Sequence, residues 1–196
     1  MVSKDYSLKQ LSNCSFCPDL LTNRTQVVIG DGSLTPDVVF IGEAPGKKED
    51  EQGKPFIGKS GQILRNNLKD IGFDNFYITN IVKCRPPNNR DPSTIEAKNC
   101  FPYLGLQLKN MNPKIICTLG AHSTKYILSG GDFNKVSSKP MSEFRGEFFN
   151  TEIEGTKYII FSTYHPAATI YNQKLKQTFV NDLKRLKGYL SNITSI

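Results

Sequence analysis

A chain of 196 residues is long enough to bury a hydrophobic core within one domain of ordinary size. Its composition, 38% apolar and 22% charged, is typical of a soluble globular protein, and no run of about 18 consecutive apolar residues predicts a transmembrane helix. The net charge of +7 favours a polyanionic partner but fits a solvated basic surface equally well, so charge alone leaves both alternatives open.

Five short, nearly continuous apolar runs predict β-strands at residues 26–30, 37–42, 76–82, 114–120 and 157–163. The segments between them have the apolar spacing and start signals of helices, at residues 60–72, 93–108, after 120 and at 173–190. Alternating strands and helices predict an α/β fold, in which helices cover both faces of a parallel sheet. We expect one domain spanning residues 1–196, with no repeat or linker.

Three of the predicted strands are followed by unusual loops. They read GEAPGKKEDEQGKPF at 42–56, IVKCRPPNNR at 81–90 and YHPAAT at 164–169. Because ligands bind beyond the carboxyl ends of the strands in open α/β sheets, we expect the three loops to form one site. The first loop has no Gly-x-Gly-x-x-Gly motif and no Walker lysine, so it gives no support for nucleotide binding.

Several side chains in these loops are suited to binding or catalysis. Glu43 ends an apolar strand, and the amide of Asn80 offers both a donor and an acceptor, which suits the edge of a pyrimidine. His165 follows a buried strand and can donate a hydrogen bond to a developing anion. Phe56 is either a core side chain or a stacking platform, and both alternatives stay open. For His122, at a helix start, we expect a structural or capping role.

The cysteine pattern indicates a metal site rather than disulfides. The count of five is odd, and the N-terminus lacks the apolar segment of a secretory signal, so we expect a reducing, cytoplasmic location. Cys117 lies in an apolar run and is expected to be a small buried side chain. The other four lie at the edges of predicted elements and are Cys14, Cys17, Cys84 and Cys100.

Four thiolates can bind either tetrahedral zinc or a [4Fe–4S] cluster. Structural zinc usually uses two closely spaced pairs, whereas only the Cys-x2-Cys pair at 14 and 17 is close here. A proline follows shortly after Cys17, Cys84 and Cys100, as in loops that enclose clusters. The spacing therefore favours a cluster over zinc, and four unrelated thiols remain a third alternative.

These motifs resemble the family 4 uracil-DNA glycosylases. The resemblance rests on GEAPG at 42–46, GKPFIGKSGQIL at 53–64, YITNIVKCRPPNNRDP at 77–92, PKIICTLG at 113–120 and TYHPA at 163–167, and it extends from about Cys14 to Leu190. It implies a three-layer αβα sandwich around a four-stranded parallel sheet, a [4Fe–4S] cluster and hydrolysis of uracil from DNA. The implied cluster ligands are Cys14, Cys17, Cys84 and Cys100, in the N-terminal segment and the 84–100 loop.

The resemblance also assigns roles within the implied uracil pocket, which consists of Gly42, Ala44, Glu49, Phe56, Asn80 and His165. Phe56 matches the aromatic side chain that stacks on uracil, and Asn80 matches the amide that reads N3–H and O4. Glu49 matches a side chain near C5 that excludes the thymine methyl group, and His165 matches the histidine at O2. Glu43 and Asn89 are both candidates for positioning the attacking water, because GEAPG lacks the aspartate of other glycosylase families.

The implied partner is uracil-containing DNA, single- or double-stranded, with a sliding clamp as a further partner. Lys83, Arg85 and Arg90 are expected to contact phosphates, and Tyr171 is our candidate for filling the gap in the DNA. We expect a monomer that is associated with the nucleoid and not with a membrane.

Three alternatives differ in class from a glycosylase. They are a non-catalytic iron–sulfur or zinc protein that binds nucleic acid, a relative that traps uracil-DNA covalently through a histidine in a KRRIH insert, and an electron-transfer protein. No such insert follows Asn80, and no flavin motif or second cluster pattern accompanies the cysteines, so the glycosylase is favoured.

Overall fold

The computed structural model describes residues 10–194, and residues 1–9 and 195–196 of the predicted domain lie outside the described part. The strands are β1 (Asp31–Gly32), β2 (Val38–Gly42), β3 (Phe76–Asn80), β4 (Ile115–Leu119), β5 (Phe148–Ile153) and β6 (Thr156–Thr163). The α-helices are α1 (Pro18–Asn23), α2 (Lys47–Gln52), α3 (Lys59–Ile71), α4 (Thr94–Met111), α5 (Ala121–Leu128) and α6 (Gln173–Thr194). Short 3-10 helices cover Leu11–Asn13, Pro87–Asn89, Phe133–Lys135, Met141–Glu143 and Pro166–Thr169.

All six strands belong to one sheet, in the order β1-β3-β2-β4-β6-β5. The four central strands, β3, β2, β4 and β6, are parallel, which confirms the predicted α/β class. The sheet has six strands rather than four, because β1 and β5 pair antiparallel at its two edges. The hairpin between β5 and β6 turns at Glu154 and Gly155, which both have positive φ, as a two-residue type I′ turn requires.

The segment at 26–30, predicted as a strand, forms no strand in the structure. Its main-chain groups bond outside a regular ladder: the Val28 N–H donates to the Lys83 carbonyl at 2.8 Å. The Ile29 carbonyl accepts hydrogen bonds from the side chains of Thr79, at 2.8 Å, and Gln107, at 3.2 Å. Separate main-chain and side-chain groups therefore satisfy the backbone of this apolar run, in place of the regular ladder of a strand.

Alternation along β2 divides the core between the two faces of the sheet. Val39 and Ile41 pack into a cluster with the apolar residues of α4 and α5, whereas Val38 and Phe40 pack into a cluster with those of α3 and α6. The predicted three layers follow from this arrangement. The first cluster includes Leu104, Leu108, Tyr126 and Ile127, and the second includes Leu64, Leu68, Phe179, Leu183 and Leu186.

The predicted helix starts agree with the structure to within one residue, but α6 extends to Thr194, four residues beyond its predicted end. Ser93 and Glu96 form a reciprocal capping box at the start of α4, and this helix ends at Asn112, which adopts a left-handed conformation. The six-residue helices α1 and α2 were not predicted, since neither has a periodic apolar face. No helix within residues 10–194 is both long and apolar enough to cross a bilayer.

Candidate active site

Two adjoining cavities lie at the carboxyl ends of β2, β3 and β6. The first, which we call the inner cavity, has a volume of about 190 Å3 and is lined by Ala44, Gly46, Glu49, Phe56, Ser60, Asn80 and His165. The second, the outer cavity, has a volume of about 150 Å3 and shares Ala44, Gly46 and His165 with the first; Glu43, Asn89, Arg90 and Asp91 also line it. The three loops predicted to converge thus meet at these cavities.

Asn80 projects a buried amide into the inner cavity. It ends β3, in register with Gly42 on β2, and is 2% exposed. Its Oδ1 has no hydrogen-bond partner within the described part of the chain. An unsatisfied buried acceptor costs about 1–3 kcal/mol, so the site is suited to a ligand that brings a donor. A Cβ at Gly42 would lie 2.5 Å from this oxygen and from the Phe56 ring, so only glycine leaves room for both side chains.

Phe56 forms one wall of the inner cavity from a strained position. Its φ is 52°, in the left-handed region that bulky residues rarely adopt, and the side chain is 6% exposed. The ring centroid lies 5.7 Å from that of His165. Glu49 anchors the loop, because its Oε1 accepts the N–H groups of Ile57 at 2.9 Å and Gly58 at 2.7 Å. Glu49 therefore holds the loop as well as lining the cavity.

Arg65, on α3, fixes the same loop from the opposite side. It donates to the carbonyls of Phe56 at 2.9 Å and Pro55 at 2.8 Å, and it pairs with Asp31 at 2.8 Å. A Cβ at Gly61 would lie 2.0 Å from the Phe56 carbonyl carbon, so α3 approaches the loop as closely as glycine allows. Sequence reasoning missed Arg65, which there looks like an ordinary polar residue of an amphipathic helix.

His165 is held as a neutral hydrogen-bond donor. Its Nδ1 accepts the N–H of Ala167 at 3.2 Å, and burial lowers the pKa of the imidazole to about 4. A neutral imidazole carries one proton, so acceptance at Nδ1 places that proton on Nε2. The Cβ and main chain of His165 pack closely against Gly120, where a Cβ would lie 2.9 Å from the His165 Cβ. His165 thus contributes an N–H donor over the whole neutral pH range.

In the outer cavity, Glu43 is paired with a histidine. Its Oε1 lies 2.7 Å from His122 Nδ1, and ligand atoms of Glu43, Asp91 and His122 all lie within 4.8 Å of one another. The hydrogen bond and charge of Glu43 raise the pKa of His122, against the opposing effect of its partial burial. The structural or capping role expected for His122 is therefore incomplete. The sequence did place His122 just beyond β4, on the same edge of the sheet as Glu43, and this position could have indicated a role in the site.

The predicted DNA contacts other than Lys83 differ in their surroundings. Arg85 donates to Asn89 Oδ1 at 2.8 Å, which places both residues at the rim of the outer cavity. Arg90 makes two hydrogen bonds to the Glu96 carboxylate, at 2.8 and 2.7 Å, so that carboxylate already offsets its charge. Tyr171 is 92% exposed, with Lys59 Nζ 5.1 Å from its ring centroid.

The expectation that Lys83 contacts DNA phosphate is wrong for this structure. The residue is 0% exposed, and its Nζ donates to Thr79 Oγ1 at 2.6 Å and to the Asn80 carbonyl at 2.7 Å. Desolvation lowers the pKa of its ammonium group to about 7. The chain folds back after β3, so a lysine that follows a strand end in the sequence lies beneath the site rather than on the surface.

The four cysteines predicted as ligands lie near one another, and none of them forms a disulfide in the described part of the chain. Cys84 and Cys100 are buried, and Cys14 and Cys17 are half-buried. Arg24 joins two of these segments by donating to Cys84 Sγ at 3.0 Å and to the Cys14 carbonyl at 2.7 Å. Burial raises the pKa of Cys100 to about 12, so this thiol ionises at neutral pH only when a metal takes the place of its proton.

The distances between the cysteine sulfurs bear on the zinc alternative. Within the described residues, no three of the cysteine sulfurs lie within 4.8 Å of one another. Tetrahedral zinc, with Zn–S bonds of about 2.3 Å, brings its sulfurs to roughly 3.8 Å. A cubane places an iron at each of four separate corners and needs a wider set of thiolates. As placed, the sulfurs do not form the compact set that a single zinc ion binds.

Comparison with known proteins gives a family model and relatives that belong to one family. The family model of the Uracil DNA glycosylase superfamily matches residues 29–187. The chain is 40% identical to a Type-4 uracil-DNA glycosylase of Saccharolobus solfataricus, over 98% of this chain and 88% of that protein. It is 42% identical to the Sulfurisphaera tokodaii Type-4 protein, over 91% and 81%, and 37% identical to that of Archaeoglobus fulgidus, over 95% and 92%.

Proposed function

This chain belongs to the uracil DNA glycosylase superfamily, and we propose that it hydrolyses the N-glycosidic bond of uracil in DNA, releasing the base and leaving an abasic site for repair. The observation that carries this proposal is the buried Asn80 oxygen without a partner among the described residues, in a cavity between Phe56 and His165. A base cannot reach such a cavity from within a duplex, so it is flipped out at a cost of about a few kcal/mol.

The inner cavity matches the hydrogen-bonding edge of uracil. Asn80 Oδ1 accepts the N3–H proton of the base, and the amide nitrogen donates to O4. Phe56 supplies the apolar wall against which the ring stacks. Glu49 lies where C5 is expected, so that a thymine methyl group meets a carboxylate. Gly42 and Ala44 complete the pocket with little side-chain volume.

His165 stabilises the leaving group. As the glycosidic bond breaks, negative charge develops on uracil O2 and positive charge on the sugar. An N–H donor that is fixed before the reaction stabilises such an anion by about 3–4 kcal/mol. Because His165 is neutral and carries its proton on Nε2, it supplies this donor without adding a cation that would favour binding of other anions.

The attacking water belongs in the outer cavity, which borders the sugar. Both predicted candidates line it, but Asn89 Oδ1 already accepts a hydrogen bond from Arg85. Glu43 offers a carboxylate, which can orient the water and stabilise the positive charge on the sugar. We therefore assign the water to Glu43, with Asn89 at the rim together with Arg85.

A [4Fe–4S] cluster bound by Cys14, Cys17, Cys84 and Cys100 fits the thiol set. Bound there, it would join the N-terminal segment to the 84–100 loop and support the site, without contacting the reacting atoms. Arg85, Arg90 and Tyr171 remain our proposed DNA contacts. The sliding clamp, the monomeric state and the nucleoid association stay predictions.

The deciding experiment uses cluster-loaded protein and oligonucleotides that carry one uracil, single-stranded or paired with G or A. Strand breakage at the uracil after alkali reports abasic sites, and the same oligonucleotide with thymine is the control. Asn80→Ala is expected to abolish cleavage, whereas Asn150→Ala, an exposed position on β5, should not change it. Binding without abasic sites would support the non-catalytic alternative, and a denaturant-resistant adduct would support covalent trapping.

A further inference from the structure

His122, the partner of Glu43, has no role in the site assigned so far. The pair joins the loop after β2 to the first turn of α5, with 2.7 Å between Glu43 Oε1 and His122 Nδ1. The imidazole also stacks on Tyr126, one turn further along α5, at a centroid distance of 6.4 Å and an interplanar angle of 23°. The histidine is thus fixed on both sides, by a carboxylate and by an aromatic ring.

The pair lies at the outer cavity. Glu43 lines that cavity and presents two carboxylate oxygens, of which the buried Oε1 lies 2.7 Å from His122 Nδ1. A carboxylate held through one oxygen has a fixed plane, so the direction of its second oxygen is set as well. The charged groups that face His122 are Glu43, Asp91 from the loop before α4, and Lys125 on its own helix.

Resting on the proposed glycosylase function, we propose that His122 is a positioning residue that orients the Glu43 carboxylate toward the attacking water and the sugar. The neutral Nδ1–H tautomer still donates to Glu43, less strongly than the imidazolium does, so orientation persists when His122 loses its proton. The charge does not persist. An imidazolium beside Glu43 weakens the carboxylate as an acceptor for water and opposes the positive charge that develops on the sugar.

This difference sets the sign of the pH dependence. Glu43 raises the pKa of His122 above its ordinary value of 6.5, so the imidazolium persists into the neutral range. The rate of base release should therefore rise with pH as His122 deprotonates and reach a plateau above its pKa. Removing Asp91 should move this rise to lower pH, and removing the positive charge of Lys125 should move it to higher pH.

The pair can be tested without activity, because the chain contains only two histidines. An NMR titration of imidazole-labelled protein should resolve His165, which titrates near 4, from His122, which titrates above 6.5. Glu43→Gln should lower the His122 pKa and leave His165 unchanged. If the His122 pKa is the same in Glu43→Gln as in the wild type, the inference is overturned.

Kinetics test the role of the pair. His122→Ala should lower kcat on uracil DNA by about tenfold, part of the 10²–10⁴ that a general base contributes, with KM unchanged within a factor of about two. His122→Gln keeps a donor without a titrating charge, so it should recover most of kcat and lose the pH-dependent rise. Lys125→Gln should keep the wild-type plateau and shift only the midpoint of the rise.

The two proposals fail in different ways. If the wild type releases no uracil, the proposed function fails while the NMR titration still reports the pair. If the wild type is active and His122→Ala matches it at every pH, the function stands and the positioning role is refuted.

Discussion

Replacing Glu49 by alanine tests whether the wall of the inner cavity is held by two hydrogen bonds. The carboxylate accepts the N–H groups of Ile57 and Gly58, at 2.9 and 2.7 Å, next to a phenylalanine with a φ of 52°. The alanine variant loses both acceptors while the strained backbone at Phe56 remains.

The magnitudes decide the expected outcome. Hydrogen bonds to a charged group contribute about 1.5–3 kcal/mol each, so Glu49 supplies roughly 3–6 kcal/mol to the loop. A left-handed conformation at Phe56 opposes this with about 1–3 kcal/mol of strain. Without Glu49, the two charged hydrogen bonds from Arg65 to the carbonyls of Pro55 and Phe56, about 3–6 kcal/mol on the same scale, are the remaining bonds that oppose the strain. The loop should then open far more often than in the wild type.

Two assays follow from this calculation. A loss of about 2–4 kcal/mol should lower the melting temperature by about 5–15 °C in a protein of this size. The kcat/KM on single-uracil DNA should fall more than about tenfold, because the stacking wall is no longer preformed. Glu51→Ala is the matched control, since it changes an exposed glutamate on the same helix. If Glu49→Ala melts and reacts like the control, the loop does not depend on Glu49.

Three further outcomes are expected. His165→Ala should lower kcat by about 10²-fold or more, since it removes the donor at O2. Near-normal rates would exclude His165 from the mechanism. Because the pKa of His165 is about 4, its protonation should cause no loss of rate between pH 5 and 8. Asn80→Asp should shift base choice from uracil toward cytosine by reversing the hydrogen-bond pattern, and unchanged selectivity in competition assays would show that Asn80 does not read the base. Anaerobically purified protein should contain about four irons per chain and absorb near ~400 nm, and Cys100→Ser should lower both; one zinc without iron would rule out the cluster.

Much of the fold was predictable because the central strands are buried on both faces. In β2 and β4 every residue is buried, so a continuous apolar run marks them in the sequence. The edge strand β5 lacks such a run, because only Ile153 is buried in it and its other residues are half-buried or exposed. The segment at 26–30 has an apolar run but no strand partner, and the side chains of Thr79 and Gln107 bond its Ile29 carbonyl instead.

In the candidate site, too, some residues were predictable from the sequence and others were not. Side chains that chemistry requires at strand ends, such as Asn80 and His165, were identified by residue type and position. Arg65 and His122 were not assigned these contacts, because each acts through a partner about 10 or more residues away in the chain: Phe56 and Pro55 in one case, Glu43 in the other. Such contacts are fixed by the packing of separate elements, and no local pattern encodes them.

Lys83 links the cysteine loop to the base-reading residue. Burying an ammonium group costs several kcal/mol, so its position requires compensation from fixed acceptors. Thr79 Oγ1 and the Asn80 carbonyl supply these acceptors, and the next residue is the proposed ligand Cys84. The lysine therefore ties the backbone of Asn80 to the chain that enters the cysteine site, while Arg24 ties Cys84 to the Cys14 segment. If the four cysteines bind the proposed cluster, we expect a change in their geometry to reach the backbone of Asn80 through Lys83.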